Sequence, residues 1–139
     1  MTGAGRTAVI AHRTCPLDAP ENSREGVAFA AEVGADAVEI DLRLSRDGVP
    51  VLSHDPLTLR TTRRAHLVRR TSARRLTGLR LRDSQETLPS FTEILDILPD
   101  GLIRMPQQPV YDGPVPAAAS RWRLGPWTTY AGSARREGR

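Results

Sequence analysis

Residues 37–44 read AVEIDLRL, and this stretch decides the fold. Its even-numbered residues from 38 to 44 are Val, Ile or Leu, whereas 39, 41 and 43 are Glu, Asp and Arg. Because successive side chains of a strand point to opposite faces, the pattern predicts a strand with one apolar and one charged face. Glu39 and Asp41 lie about 6 to 7 Å apart at the backbone on the charged face. Two such carboxylates can bind one hard divalent cation, although alone they more often mark a solvated strand face.

The residues before this strand predict a strand followed by a helix. Residues 7–11, TAVIA, form a continuous apolar run that is typical of a strand covered on both faces in a parallel sheet, and His12 follows it. Residues 22–33 predict a helix, with Asn22 as its N-cap and Gly34 at the left-handed position after its end. Strand, helix and strand in this order predict an α/β fold.

The residues after the strand predict a hairpin that ends at a second histidine. Asp47-Gly48 is typical of a tight turn, and residues 51–53 return as a short strand that ends at His54. Because His12 and His54 each follow a strand, both can reach one rim of the sheet together with the two carboxylates. One imidazole can then accept a proton from an attacking hydroxyl while the other donates one to the departing alkoxide. A single histidine at a strand end is more often structural, but the conjunction favours a catalytic site.

Arginine and a capped helix dominate the next part of the chain. All 20 basic residues are Arg, and nine of them fall in residues 60–82, which contain no acidic residue. This segment has no aromatic side chain on which a base could stack, so it predicts a solvated loop with a short helix rather than a nucleic-acid surface. Ser90 and Glu93 then form a capping box before an apolar repeat, which predicts a helix over residues 90–98.

Length and composition limit the fold and the compartment. The 139 residues allow one modest domain, whereas a complete (β/α)₈ barrel needs about 250 residues. The net charge of +4 arises beyond residue 100, since 14 Arg balance 14 acidic residues before it. The single cysteine, Cys15, excludes an internal disulfide and predicts a small, partly buried thiol. No apolar run approaches the ~20 residues of a membrane span and no secretory leader is recognisable, so we expect a cytoplasmic protein.

Ordered motifs over about residues 7–101 resemble the glycerophosphodiester phosphodiesterase family. They are HR at 12–13, PENS at 20–23, GAD at 34–36, VEID at 38–41, RDGVP at 46–50, HDP at 54–56, LRTT at 59–62 and LPS at 88–90. Each motif is modest, but their order and spacing argue against a chance match. The resemblance implies a TIM (β/α)₈ barrel, of which this chain would hold about the first three βα units, followed by an irregular tail.

The resemblance also implies a function. Enzymes of the family are hydrolases that cleave small glycerophosphodiesters into glycerol 3-phosphate and an alcohol with Mg²⁺ or Ca²⁺. The implied roles are His12 and His54 as the acid–base pair, Glu39 and Asp41 as metal ligands, and Arg13, Glu21 and Asn22 as substrate contacts or supports of the site. For Glu21 and Asn22 a plain helix start is an equally good interpretation. No nucleic-acid partner is expected, and the oligomeric state is left open.

Two departures from the family pattern bear on activity. The Gly that usually follows the His-Arg pair is Thr14 here. The family's third strand usually carries Glu-x-Lys, whereas residues 102–110 read LIRMPQQPV, with no acid before Asp112 and no Lys in the whole chain. Because two carboxylates alone hold a hard cation weakly, we expect this chain to have little activity.

The composition changes after Gly101. We expect a domain over residues 7–101 and an irregular tail over residues 102–139, which contain both Trp, both Tyr and five of the eleven Pro. One hypothesis for this change is a shift of reading frame near residues 102–105. Two other functions stay open: a non-catalytic remnant that needs a partner to supply missing strands, and an Arg-rich nucleic-acid-binding protein that uses residues 60–82.

Overall fold

The computed structural model describes residues 7–100 and the backbone of residues 103–107. All of them belong to one unit of the chain. Within these residues the strands are β1 (Ile10–Ala11), β2 (Ala37–Leu44), β3 (Pro50–Leu52) and β4 (Ile103–Gln107), and the α-helices are α1 (Arg24–Glu32), α2 (Leu59–Thr62), α3 (Ala73–Thr77) and α4 (Phe91–Ile97). Single turns of 3₁₀ helix lie at His12–Thr14 and Val68–Arg70.

The strand β2 is the centre of the sheet. Its first half pairs in parallel with β1 on one edge and with β4 on the other. Its second half pairs antiparallel with β3, through a turn in which Gly48 has φ +77°. The predicted α/β class and hairpin are therefore confirmed. Because β1, β2 and β4 are parallel neighbours in chain order, they are arranged as consecutive strands of a (β/α)₈ barrel are.

The apolar face of β2 forms part of the core, as its alternation predicts. Val38 and Ile40 are fully buried, together with Val27 and Ala30 of α1. Burying a Val or Ile side chain stabilises the fold by about 1.5 to 3 kcal/mol. This packing fixes which face of β2 is turned away from the core, and that face carries the acidic residues.

The start of α1 differs from the prediction. The helix begins at Arg24, and its N-cap is Ser23, whose hydroxyl accepts a hydrogen bond from the Gly26 N–H. Asn22 has φ +55° and therefore lies outside the helix, with its side chain on Asp41. The expectation that Asn22 is the N-cap was wrong, because the buried carboxylate of Asp41 binds the amide that would otherwise cap the helix. The left-handed Gly34 is confirmed, with φ +74°.

The strand β1 is shorter and more exposed than predicted. It covers two residues rather than residues 7–11. Ile10 in the strand is 46% exposed, and Val9 just before it is 55% exposed. The described part of the chain thus leaves the start of this strand uncovered. An apolar run of this length gives no sign of where strand pairing begins, which is why the prediction was too long.

The Arg-rich segment at residues 60–82 is folded rather than looped out. The helix α3 and the 3₁₀ turn before it contribute Leu76 and Val68 to an apolar cluster. That cluster consists of Val51, Val68, Leu76, Leu81 and Leu88. The predicted short helix is present as α3, whereas the apolar cluster was not predicted, because its residues are spaced too widely to produce a helical or strand period. The helix α4 has the predicted capping box between Ser90 and Glu93.

One strand lies beyond the domain end expected at residue 101. The strand β4 pairs with β2 in parallel, with Ile103 opposite Ala37 and Gln107 opposite Asp41. Its sequence, IRMPQ, has no apolar alternation and includes a proline, so no pattern predicted it. The rest of the expected tail lies outside the described residues. Among those described, no helix has the length and apolar character needed to cross a membrane.

Candidate active site

The charged face of β2 is a partly buried surface and not a solvated one. Asp41 is only 5% exposed, and the side chain of Glu39 is 13% exposed. Because Ala11 of β1 pairs with Val38 of β2, the chain leaves β1 beside Glu39. The sheet register thus brings the residues after β1 to the two acids, as the sequence analysis expected.

The loop after β1 has an unusual backbone. Arg13, Thr14 and Cys15 have φ values of +44°, +58° and +63°, a left-handed region that residues other than Gly rarely adopt. The backbone N–H of Arg13 donates to Glu39 Oε2 at 2.9 Å, and the Asn22 N–H donates to the Arg13 carbonyl at 2.8 Å. Such strain persists only where the surroundings fix the conformation. Here it directs the Arg13 N–H at a carboxylate, and Thr14 stands where the family usually has Gly.

Gly26 of α1 allows this loop to lie against the helix. A Cβ at Gly26 would overlap the carbonyl oxygen of Thr14 and meet its side chain as well. The Thr14 side chain is fully buried, and its hydroxyl accepts a hydrogen bond from the Ser23 N–H at 3.1 Å. The helix start and the strained loop therefore form one packed unit.

The guanidinium of Arg13 lies between two acids. Its Nε is 3.4 Å from Asp41 Oδ2, and its Nη1 is 3.6 Å from Glu21 Oε2. The Nε is buried and makes no hydrogen bond among the described residues, so its contact with Asp41 is one of charge alone. Arg13 therefore holds a positive charge at the site, between two carboxylates.

Asn22 fixes the position of Asp41. Its side-chain Nδ2 donates to Asp41 Oδ2 at 2.9 Å, and the Asp41 backbone N–H donates to Asn22 Oδ1 at 3.0 Å. Both residues are buried. Asn22 is thus bound to Asp41 and does not cap the helix.

Glu39 carries an oxygen without a partner. Its Oε1 is buried and has no hydrogen-bond partner in the described part of the chain, while its Oε2 lies 3.8 Å from His12 Nε2. A buried carboxylate oxygen is costly unless a donor or a cation meets it. Glu39 and Asp41 thus fit one side of a cation site.

A third acidic ligand is absent from the residues that the structure describes. They contain no group of three His, Cys, Asp or Glu side chains placed to hold a metal ion. On the neighbouring strand, β4, Met105 is the residue paired with Glu39, and none of the five residues of β4 is acidic. The pair of carboxylates fits a divalent cation only in part.

His54 is held at its main chain and at its ring. The Arg43 guanidinium, from the charged face of β2, donates to the His54 carbonyl from Nε at 2.8 Å and from Nη2 at 2.6 Å. The ring Nδ1 lies 2.7 Å from Asp55 Oδ1. Arg43 and Asp55 had no predicted role. Arg43 could have been noticed because it shares a strand face with the two acids.

Arg60 joins His54 to the other side of the site. Its Nε donates to Asp55 Oδ2 at 2.6 Å, and its Nη1 and Nη2 donate to the two oxygens of Glu21 at 2.9 and 2.6 Å. Glu21 in turn lies beside Arg13. No local pattern in the sequence predicts this link, because Arg60 lies 39 residues from Glu21.

The pKa values follow from these contacts. The hydrogen bond from Arg60 lowers the pKa of Asp55 to about 2, against the opposing effect of burial, and the bond to His54 adds to the shift. Burial acts to raise the pKa of Glu21, but the hydrogen bonds and charge of Arg60 and the charge of Arg13 hold it below its usual value. Both carboxylates are therefore ionised at neutral pH.

The seven residues predicted for the site lie in one connected network. Direct contacts join His12, Arg13, Glu21, Asn22, Glu39 and Asp41. His54 is linked to them through Asp55, Arg60 and Glu21. Cys15 is partly buried, as predicted, and burial and then the charge of Asp18 raise the pKa of its thiol.

A comparison with known proteins identifies the family of the chain. The model of the glycerophosphoryl diester phosphodiesterase family matches residues 12–113. The chain belongs to this family. The match includes all seven residues predicted for the site and continues past residue 101, through β4.

The chain matches its relatives in the family over only part of their length. Glycerophosphodiester phosphodiesterase 1 of Bos taurus is 49% identical over 57 residues, which are 41% of this chain and 17% of that protein. The glycerophosphodiester phosphodiesterase of Caldanaerobacter subterraneus is 44% identical over 57 residues, 24% of its length. The chain thus matches a quarter or less of these relatives.

Solved structures of the family have the same fold over the matched part. The glycerophosphodiester phosphodiesterase of Agrobacterium tumefaciens has a TM-score of 0.68 at 27% identity, over 73% of this chain and 46% of that one. A phosphodiesterase of Oleispira antarctica, solved with the product sn-glycerol-3-phosphate, has a TM-score of 0.62 at 33% identity, over 73% and 45%. The chain spans less than half the length of either.

Proposed function

We propose that this chain is a metal-assisted phosphodiester hydrolase whose substrates are glycerophosphodiesters and whose products are glycerol 3-phosphate and an alcohol. The observation that carries the proposal is the buried Glu39 Oε1, which has no hydrogen-bond partner among the described residues, in one group of side chains with the Arg13 guanidinium. A divalent cation satisfies the carboxylate oxygen, and a phosphate satisfies the guanidinium N–H. A phosphate ester bound together with a divalent cation would supply both the cation and the phosphate. Membership of the family and the product bound to the Oleispira neighbour support this choice of substrate.

Glu39 and Asp41 would hold the cation. A bound divalent cation would polarise the phosphoryl oxygens and offset their developing charge. Asn22 keeps Asp41 in place through two hydrogen bonds, and the carboxylate of Glu39 is fixed by the Arg13 N–H. Mg²⁺ and Ca²⁺ both prefer carboxylate ligands, so the donor set suits either ion.

Arg13 would bind the phosphate. Its guanidinium is planar and always charged, and its orientation is fixed by the charges of Asp41 and Glu21. A phosphate that approaches this group receives N–H donors from a side chain that is already immobilised. Such fixed donors stabilise negative charge better than flexible ones, because no reorganisation is needed during the reaction.

His12 and His54 would transfer the protons. Because the ionised Asp55 can only accept a hydrogen bond, its contact with His54 requires a proton on Nδ1 and leaves the Nε2 lone pair free. His54 can therefore accept a proton at Nε2 and return it from there. His12 lies beside Glu39 and has an exposed ring, which is open to a substrate. We assign deprotonation of the attacking hydroxyl and protonation of the departing alkoxide to this pair.

We expect the hydrolysis to be slow and to need a high cation concentration. Within the described residues two carboxylates face the cation, and sites with few charged ligands bind Ca²⁺ at about 0.1 to 1 mM. Activity should therefore increase with cation concentration up to about the millimolar range. A dissociation constant of the cation far below about 0.1 mM would mean that further ligands, besides Glu39 and Asp41, bind it.

The test is release of glycerol 3-phosphate from glycerophosphocholine with added Mg²⁺ or Ca²⁺. Wild-type chain should release it at a rate that chelator removes. Glu39→Gln should lower that rate at least about tenfold, because a cation ligand is lost. His66→Gln is the matched control, since His66 is the third histidine and belongs to none of the contacts of the site. No release at any cation concentration, or full release by Glu39→Gln, would contradict the proposal.

Nucleic-acid binding by residues 60–82 gains no support from the described residues. Arg60 pairs with Glu21 and Asp55, and Arg63 pairs with Asp83. Two of the nine arginines of the segment thus have acidic partners within the protein. A steep fall of binding with salt would be the sign of such an interaction, and it stays an untested prediction.

A further inference from the structure

We propose that Arg60 is a positioning residue for His54: through Asp55 it holds the imidazole ring in the tautomer that carries a proton on Nδ1. This inference rests on the proposed function of His54 as a proton-transfer group. Arg60 itself lies in α2 and is assigned no contact with the substrate. Its effect on the reaction would pass through Asp55.

The two oxygens of Asp55 are divided between Arg60 and His54. Oδ2 accepts the hydrogen bond from Arg60 Nε at 2.6 Å, and Oδ1 lies 2.7 Å from His54 Nδ1. An aspartate side chain has two torsion angles, and a bond at one oxygen leaves the carboxylate free to swing about it. Bonds at both oxygens fix its plane. Arg60 therefore sets the direction in which Asp55 faces the ring.

Arg60 is itself fixed by Glu21. Its Nη1 and Nη2 donate to the two oxygens of Glu21, while its Nε is left for Asp55, so each nitrogen of the guanidinium has its own carboxylate oxygen. The side chain of Glu21 is only 14% exposed. A planar guanidinium held by such a two-point contact has a defined orientation, which an ammonium group at the same place cannot have.

Arg43 shows what Arg60 adds. Arg43 donates two hydrogen bonds to the His54 carbonyl and so fixes the main chain of that residue. The main chain leaves the ring free to rotate about its own torsion angles. In the described part of the chain, the Asp55 carboxylate contacts the ring, and the Arg60 guanidinium contacts that carboxylate. Orientation and tautomer of the ring thus depend on this pair.

The tautomer decides where His54 can act. With Nδ1 protonated and facing Asp55, the lone pair of the neutral ring lies at Nε2, away from the carboxylate. With the other tautomer, Nε2 would carry the proton and the Nδ1 lone pair would face an ionised carboxylate, which is unfavourable. Loss of the Asp55 orientation therefore lowers the fraction of rings that can accept a proton at Nε2. Substrate binding by Arg13 should change less.

The test combines a spectroscopic reading of the tautomer with enzyme kinetics on the full chain. In long-range ¹⁵N–¹H spectra at about pH 8.5, where a histidine is neutral, wild-type His54 should show a protonated Nδ1. A His54→Gln sample identifies its signals. Arg60→Lys should give a mixture of both tautomers. Arg63→Lys is the matched control, because it changes the exposed ion pair of Arg63 with Asp83, which lies outside the site. It should leave the spectrum as in wild type.

Kinetics separate positioning from plain structural support. With glycerophosphocholine, Arg60→Lys should lower kcat about tenfold or more while KM changes less than about twofold. A protonated Nε2 in wild type, or an unchanged tautomer in Arg60→Lys, would overturn the inference. If Arg60→Lys does not fold, the wild-type tautomer and that of Asp55→Asn decide. If wild type shows no hydrolysis, the proposed function fails, whereas the tautomer spectra still test the role of Arg60.

Discussion

The two histidines of the site are held by different kinds of interaction. His12 begins a loop that is fixed through the main chain, with Arg13 in a left-handed conformation and its N–H on Glu39. His54 is fixed through side chains, by Arg43 at its carbonyl and by Asp55 at its ring. The first arrangement depends on close packing of backbone atoms. The second depends on charge pairs and should respond to pH.

The largest effect should come from filling the space that the His12 loop occupies. Gly26→Ala places a Cβ against the carbonyl oxygen of Thr14, and neither group is at the end of a flexible side chain. We expect the free energy of unfolding to fall by about 3 kcal/mol, and hydrolysis to fall with it. Urea denaturation measures the first quantity. In Gly78→Ala, by contrast, the new Cβ would lie 3.5 Å from its nearest atom, so no loss is expected. Equal stability of the two variants would refute the packing argument.

The second prediction tests the support of Asp41. Asn22→Ala removes the Nδ2 donor to Asp41 Oδ2 and the acceptor for the Asp41 N–H, both of them buried. Stability should fall by about 2 kcal/mol, because a buried carboxylate and a buried N–H lose their partners. The left-handed φ of Asn22 adds to the loss, since Ala adopts it less readily. Thermal unfolding measures the change, and a Tm equal to that of wild type would show that Asp41 is held by other groups.

The third prediction concerns pH and the side-chain pairs around His54. The pKa of Asp55 is lowered from 3.8 to about 2, first by the hydrogen bond from Arg60. A lowered carboxyl pKa contributes stability above pH 4, and this stability is lost as the pH falls towards 2. Because the Asp55 side chain is 29% exposed, water screens its contacts in part, and we expect a loss of about 1 kcal/mol. Arg60→Gln should show a smaller loss over the same range. A loss as large as that of wild type would mean that Arg60 does not shift the titration.

The smallest effect should come from an ion pair outside the site. Arg63 and Asp83 lie 2.6 Å apart, but their side chains are 63% and 73% exposed. Such a pair contributes little because water screens it. Arg63→Gln should change the free energy of unfolding by less than about 0.5 kcal/mol and leave the rate of hydrolysis unchanged. A loss above about 1 kcal/mol in chemical denaturation would show that exposure is a poor guide here.

The sequence predicts the parts of the fold that have a regular period. The bounds of β2 agree with the alternation in AVEIDLRL, and α4 has its predicted capping box. The start of α1 was misplaced because Asn22 has two possible partners, a helix end and Asp41, and the sequence does not choose between them. The sequence of β4 has no regular apolar period. The strand forms through its parallel pairing with β2, which no local pattern reveals.

The seven residues predicted for the site lie in one network, whereas Arg43, Asp55 and Arg60, which contact members of it, were not predicted. His12, Glu39 and Asp41 follow from strand ends and strand alternation, which are local. The contact of Arg60 with Glu21 spans 39 residues and depends on how the fold brings α2 to the loop before α1. Such contacts exist only in the folded chain, so no spacing in the sequence reveals them.

Both histidines are proposed to serve one hydrolytic site. The most direct test measures glycerol 3-phosphate release from glycerophosphocholine, at saturating cation, by His12→Ala, His54→Ala and the double variant. Each single substitution should remove the cation-dependent release of glycerol 3-phosphate. The double variant should release it no more slowly than the slower single variant, because both residues act in one reaction. A single variant that keeps the wild-type rate would contradict it.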